Sequence, residues 1–128
     1  MMSEKLPNIS DSELSVMKII WKNPEPISFP EIREQLKSTG WDSSTIRTML
    51  TRLVKKGVVN QEKRGFYLYS AKINQEDFVN FETKNFINKI FGGNVKGLIS
   101  NLLNTNYVDD KELDELKKFW KNESDNHD

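Results

Sequence analysis

Ser43-Ser-Thr-Ile-Arg-Thr-Met-Leu-Thr-Arg-Leu-Val-Lys-Lys-Gly57 runs straight into Val58-Val-Asn-Gln-Glu-Lys-Arg-Gly-Phe-Tyr-Leu-Tyr-Ser70, and the two halves of that stretch carry different periodicities. In the first half, Ile46, Leu50 and Leu53 share one side of a helix with Met49 close by, while Ser44, Thr48, Thr51 and Lys55 fall opposite them. This spacing predicts a helix over Ser44–Lys56, capped by Asp42 or Ser43 and stopped at Gly57. In the second half, Val58–Glu62 and Phe66–Ser70 are β-prone runs joined by the turn-like Lys63-Arg64-Gly65, which predicts a hairpin.

Upstream, two capping boxes announce two more helices. Ser10-Asp-Ser-Glu13 opens the first, over about Asp11–Lys22, with Leu14, Met17, Ile20 and Trp21 on one stripe and Val16 and Ile19 widening it. Asn23-Pro24-Glu25-Pro26 stops it. Ser28-Phe-Pro-Glu31 opens the second, with proline in the first turn where its missing N–H costs nothing, and the helix runs to about Ser38, burying Phe29, Ile32 and Leu36. Helix, helix, turn, helix and a two-stranded hairpin is the order of a winged helix-turn-helix domain, placed at residues 1–73.

Downstream the pattern becomes wholly helical. Asn74-Gln-Glu-Asp77 supplies a cap and first-turn acids for a helix to about Phe91. Phe78, Val79, Phe81, Phe86, Ile87, Ile90 and Phe91 occupy most of that helix's circumference, too much for one lying singly on a domain. After Gly92-Gly93, the residues Val95, Leu98, Ile99, Leu102 and Leu103 give a short amphipathic helix, and a last one over about Asp109–Lys121 carries Leu113, Leu116, Phe119 and Trp120. The simplest arrangement is a three-helix homodimerisation domain over 74–121, with Phe78, Phe81, Phe86, Ile90, Leu98, Ile99, Leu102, Leu103, Leu113, Leu116 and Trp120 at the shared interface and 122–128 as a disordered tail. The competing arrangement folds these helices back on the winged domain as a monomer. The expected class is mainly α with a small β-hairpin.

Charge separates the same two parts. The 128-residue chain is formally neutral, yet residues 1–72 carry a net +4 and residues 73–128 a net −4. Trp41–Lys72 alone holds Arg47, Arg52, Lys55, Lys56, Lys63, Arg64 and Lys72 against Asp42 and Glu62. A local basic footprint of this kind suits a polyanion. Within it, Ser44, Thr45, Arg47, Thr48, Thr51, Arg52 and Lys55 on the third helix, with Lys63 and Arg64 on the hairpin, are the candidate contacts to double-stranded DNA. Arg can bond two acceptors on a guanine edge, Ser and Thr can serve bases or phosphates, and a wing can present its cations to phosphates or the minor groove. Tyr67 and Tyr69 suit phosphates less well, because strand tyrosines usually pack on a sheet face. Two such domains related by a two-fold axis would set their third helices one DNA turn, about 34 Å, or a multiple of it, apart on a palindromic site.

Composition narrows the alternatives. There is no cysteine, and the single histidine, His127, sits in an acidic polar tail, so thiolate or His-based metal sites and nucleophiles have nothing to work with and no cofactor is expected. No convincing carboxylate pair occupies a predicted cleft, which argues against an enzyme. Hydrophobic residues make up 36% and mean hydropathy is −0.67. No window reaches the length of a membrane span and Met1–Asp11 lacks a signal-like apolar run, so a cytoplasmic protein with no membrane insertion is expected. A winged domain serving as a protein-interaction module is the reading from another class.

Ser10-Asp-Ser-Glu-Leu-Ser-Val-Met-Lys-Ile-Ile-Trp21, Trp41, Thr45-Ile-Arg-Thr48, Thr51-Arg-Leu-Val-Lys-Lys-Gly57 and Lys84-Asn-Phe-Ile-Asn88 together resemble the penicillinase-repressor and methicillin-resistance-repressor family, from about Ile9 to Lys121. The resemblance implies a homodimeric repressor of β-lactam-resistance genes, with a winged helix followed by a helical dimer domain. It further implies relief of repression through a membrane-bound β-lactam sensor-protease system that leads to cleavage after an asparagine in the dimer domain, matched here by Asn101–Leu102. The chain departs from the family in Asp42-Ser43-Ser44, where Ser-Pro-Lys is common, and in Leu102, where phenylalanine is usual. A related branch senses copper through C-terminal cysteines, which this chain lacks.

Overall fold

The structure, a computed structural model, describes residues 6–125, with side-chain surroundings through residue 122. In chain order it contains α1 (Asp11–Lys22), β1 (Ile27–Ser28), α2 (Phe29–Gln35), a 3-10 turn (Lys37–Thr39), α3 (Ser43–Lys55), β2 (Val59–Arg64), β3 (Phe66–Ala71), α4 (Gln75–Phe91), α5 (Val95–Asn104) and α6 (Asp110–Asp125). Residues through Phe81 form one compact unit and those from Glu82 onward another.

Both capping boxes form as their sequences require. The Ser10 hydroxyl accepts from the Glu13 N–H while the Glu13 carboxylate accepts from the Ser10 N–H, and Ser28 and Glu31 do the same at α2. Each box satisfies two of the backbone donors that a helix start would otherwise strand. The apolar stripes of the three short helices then converge: Val16, Met17 and Ile20 from α1, Ile32 from α2, and Ile46, Leu50 and Leu53 from α3 are all buried. Val58, Val59 and Tyr69 close this core from the sheet side, with Trp41 and Trp21 packed at its margin.

The sheet has three strands in the order β1-β3-β2, all antiparallel. Only the hairpin was expected. β1 is two residues long, too short for a period to show, yet Ile27 is buried opposite Tyr69 and Ser28 lies opposite Leu68 before turning to cap α2. The hairpin is also tighter than its sequence suggests, because Arg64 still pairs with Phe66 and only Gly65, at φ +79°, makes the turn. A left-handed backbone at that position favours glycine.

Two expected boundaries shift. α2 stops at Gln35 and the chain tightens into the 3-10 turn before Gly40, instead of staying α-helical to Ser38. α6 continues four residues past Lys121 to Asp125, so the start of the expected tail is helical, while 126–128, including His127, lie outside the described residues. One expected interface residue is accounted for within the first unit. Phe78 is buried with its ring 5.3 Å from that of Trp21, whose indole N–H donates to the Ile73 carbonyl at 2.9 Å. A residue covered by its own domain is not free to meet a second subunit, so Phe78 is core here.

Candidate nucleic-acid interface

α3 owes its placement to its two faces. Ile46, Met49, Leu50 and Leu53 are buried, and Ser44, Thr45, Arg47, Thr48, Thr51, Arg52 and Lys55 are exposed. Every helical residue named as a candidate contact therefore lies on the outward side. Asp42, and not Ser43, is the cap: its Oδ1 accepts from the Thr45 N–H at 2.9 Å and from the Ser44 hydroxyl at 2.7 Å. Those hydrogen bonds, led by the one from the Thr45 backbone, hold the Asp42 carboxyl below its usual range.

Three hydroxyls on this face have already spent their protons. Thr48 donates to the Ser44 carbonyl and Thr51 to the Arg47 carbonyl, each at 2.9 Å, while Ser44 donates to Asp42. A phosphate oxygen only accepts, so in this arrangement Ser44, Thr48 and Thr51 offer lone pairs, and the two threonines their methyl groups, instead of donors. Such groups match the amino edges and thymine methyls of a major groove better than its backbone.

The cations take the complementary role. Among the described residues no acidic side chain pairs with Arg47, Arg52, Lys55 or Lys63, whereas Lys37, Lys56 and Arg64 are paired with Glu34, Glu13 and Glu62. Arg52 borders an open concavity of about 370 Å³ between the start of α1 and the outer face of α3, lined by Ser10, Ser12, Ser44, Thr45 and Thr48. The wing adds Lys63, whose ammonium lies 5.7 Å from the centre of the Tyr67 ring, and Arg64, held 3.0 Å from Glu62 at the hairpin's end. Tyr69 is buried and its hydroxyl accepts from Gln61 at 3.1 Å, so it belongs to the sheet, while Tyr67 stays exposed.

Sequence reading missed a pair of links between α2 and α3. The Arg47 guanidinium carbon sits 4.0 Å from the centre of the Phe29 ring, and Arg33 donates to the Ser43 hydroxyl at 3.1 Å. Each partner in the second link lies four residues from its counterpart in the first, so together they form two rungs across the helix-turn-helix. No local pattern reveals them, because the residues they join are remote in sequence.

In the second unit, described by itself, α5 and α6 enclose an apolar cleft of about 260 Å³ lined by Ile99, Leu102, Leu103, Val108, Leu113, Leu116, Lys117 and Trp120. Phe86, Ile90, Ile99, Leu103, Leu116 and Trp120 are exposed and Leu98, Leu102 and Leu113 are half-buried, whereas Phe81, also half-buried, is the last residue of the first unit. Asn101 is exposed within α5 and its carbonyl accepts from both the N–H and the hydroxyl of Thr105, so the Asn101–Leu102 bond lies inside a regular helix.

A three-helix core, a three-stranded wing and an outward helix bordered by cations define the winged helix-turn-helix class. The sequence profile of the family described as penicillinase repressor matches residues 9–122, and the chain belongs to that family. It is 36% identical over 114 residues to the penicillinase repressor of Bacillus licheniformis, covering 88% of this chain and 89% of that protein. It is 32% identical over 119 residues to the methicillin resistance regulatory protein MecI of Staphylococcus aureus, covering 92% and 97%. Among solved structures, the monomeric form of Bacillus licheniformis BlaI in complex with the blaP half-operator superimposes with a TM-score of 0.50 at 45% identity, over 57% of this chain and 90% of that one. Among the described residues, no helix is long and apolar enough to cross a membrane and no cluster of His, Cys, Asp or Glu could hold a metal.

Proposed function

We propose that this protein is a cytoplasmic, non-catalytic transcriptional repressor that binds a palindromic operator as a homodimer and controls β-lactam-resistance genes. The observation that carries it is the outer face of α3: among the described residues Arg47, Arg52 and Lys55 stand without acidic partners, beside the hydroxyls of Ser44, Thr48 and Thr51, whose protons are already engaged. That division suits cations for phosphate and guanine, and methyls and lone pairs for the remaining base edges. Membership of the penicillinase repressor family and likeness to a half-operator complex support the same reading.

In this account residues 1–73 form the DNA-binding domain and 74–121 the dimerisation domain, with the exposed apolar residues of α4, α5 and α6 meeting their copies. Repression would end when a membrane-bound β-lactam sensor-protease system leads to cutting at Asn101–Leu102. Since that bond is helical and Leu102 lines the apolar cleft, cutting requires α5 to unwind locally and removes one wall of the cleft.

Footprinting the region upstream of the chain's own gene locates the operator, and a salt titration then tests the mode of binding. With five candidate cations per protomer, affinity for that duplex should fall by about a thousandfold or more between 50 and 200 mM salt, and Lys55→Ala should flatten the dependence. A protein-interaction module would show negligible duplex affinity at any salt, and that result would end the repressor reading.

A further inference from the structure

We propose that Phe29 is a positioning residue for base recognition, its ring holding the Arg47 guanidinium ready for a guanine edge; the inference rests on the DNA-binding reading of α3. The guanidinium carbon is 4.0 Å from the ring centre. At that distance the guanidinium packs over the ring in a close cation–π contact. A ring offers the guanidinium no acceptor oxygen, and among the described residues none of its N–H donors is engaged by one. No acidic side chain among the described residues competes for them.

The ring is itself held firmly. Phe29 is 7% exposed, opens α2 directly after the Ser28 capping box and belongs to the domain core. Its neighbour one turn along α2, Arg33, donates to Ser43 one turn back along α3, so two rungs fix the spacing of the two helices around Arg47. An arginine on a bare helix loses side-chain freedom when it docks in a groove. Part of that loss has already been incurred here in the free protein, which favours the bidentate geometry specifically required by guanine.

The test is a double-mutant cycle on the full-length chain, read as affinity for the footprinted operator duplex and for a random duplex of equal length. Arg47→Ala should weaken operator binding about tenfold to a hundredfold and random binding less. Phe29→Leu should weaken operator binding about threefold to tenfold, the cost of ordering one long side chain at binding, with random binding unchanged. Phe29→Leu should have no further effect in an Arg47→Ala background, because the ring acts through Arg47. Phe29→Tyr, which keeps the ring, should retain operator preference, and a loss as large as that of Phe29→Leu would overturn the proposal.

An undiminished loss from Phe29→Leu in the Arg47→Ala background would show a general packing role and overturn the proposal. A gain in operator affinity for Phe29→Leu would show that the ring parks Arg47 away from DNA, overturning it in the opposite sense. Equal losses from Arg47→Ala on both duplexes would remove base reading by Arg47 and the role of Phe29 with it, while leaving DNA binding itself intact. Absent duplex binding by the wild type would instead defeat the DNA-binding reading.

Discussion

Glu13 serves two partners with one oxygen. Its Oε1 accepts from the Ser10 N–H at 2.9 Å and from the Lys56 ammonium at 2.6 Å, while its Oε2 is buried without a hydrogen-bond partner among the described residues. Lys56 also donates to the Asn8 carbonyl, so this pair ties the entry to α1 to the end of α3. Burial pushes the Glu13 carboxyl up, but the hydrogen bonds from Lys56 and Ser10 and the Lys56 charge together outweigh it and hold the carboxyl below its ordinary value. A carboxylate whose folded pKa is lowered contributes stability that is present above the ordinary value, near 4.5, and lost as pH falls through the folded one. Glu13→Gln should therefore cost about 1–3 kcal/mol at pH 7, since it strips the ammonium of its charge partner. In urea titrations the gap between wild type and variant should close as pH falls below about 4.5. A gap that persists unchanged under acid would mean the amide is disfavoured by shape and not by charge. Little of this could be read from the sequence: the capping box with Ser10 lies within four residues and is legible, but Lys56 is 43 positions away.

At the scale of the element, α3 begins with a conflict between folding and binding. Asp42 is a good cap, and as a carboxylate it places a negative charge at the start of the helix that would enter the groove. Asparagine caps about as well as aspartate but carries no charge. Asp42→Asn should accordingly leave the thermal midpoint nearly unchanged and raise operator affinity about threefold at low salt, with the gain fading as ionic strength shortens the reach of the removed charge. An affinity that does not move would place the DNA backbone away from the start of α3. Helix starts and the apolar seam of α3 were legible because caps and 3.6-residue periods are local. β1 was not, because Ile27 and Ser28 become a strand only through Tyr69 and Leu68. For the same reason Phe29 could be recognised as a core residue, while its contact with Arg47 depends on how two helices cross.

For the whole molecule, the open question is what covers the apolar side chains of the second unit. Trp120 is 72% exposed and Leu103 is 41% exposed beside a cleft walled almost entirely by carbon, an arrangement that leaves unrelieved the water contact folding normally removes. The excess was legible in the sequence as a helix apolar around most of its circumference, but a surplus cannot name its own partner. A second copy is the occupant that the proposed palindromic operator calls for, since a two-fold axis pairs like surfaces. Sedimentation at micromolar concentration should show a dimer. Leu103→Asp tests the interface at a side chain 41% exposed in the single chain, with circular dichroism of the variant checking that a carboxylate beside the apolar cleft leaves the helices folded. The variant should sediment as a monomer and keep its affinity for a duplex carrying one half-site. It should lose the added affinity of the full operator, because two linked domains bind with an effective concentration that separate ones lack. A Leu103→Asp protein that remains dimeric would move the interface elsewhere, and a wild type that is monomeric would leave α3 to read half-sites singly, with no structural reason for them to be paired.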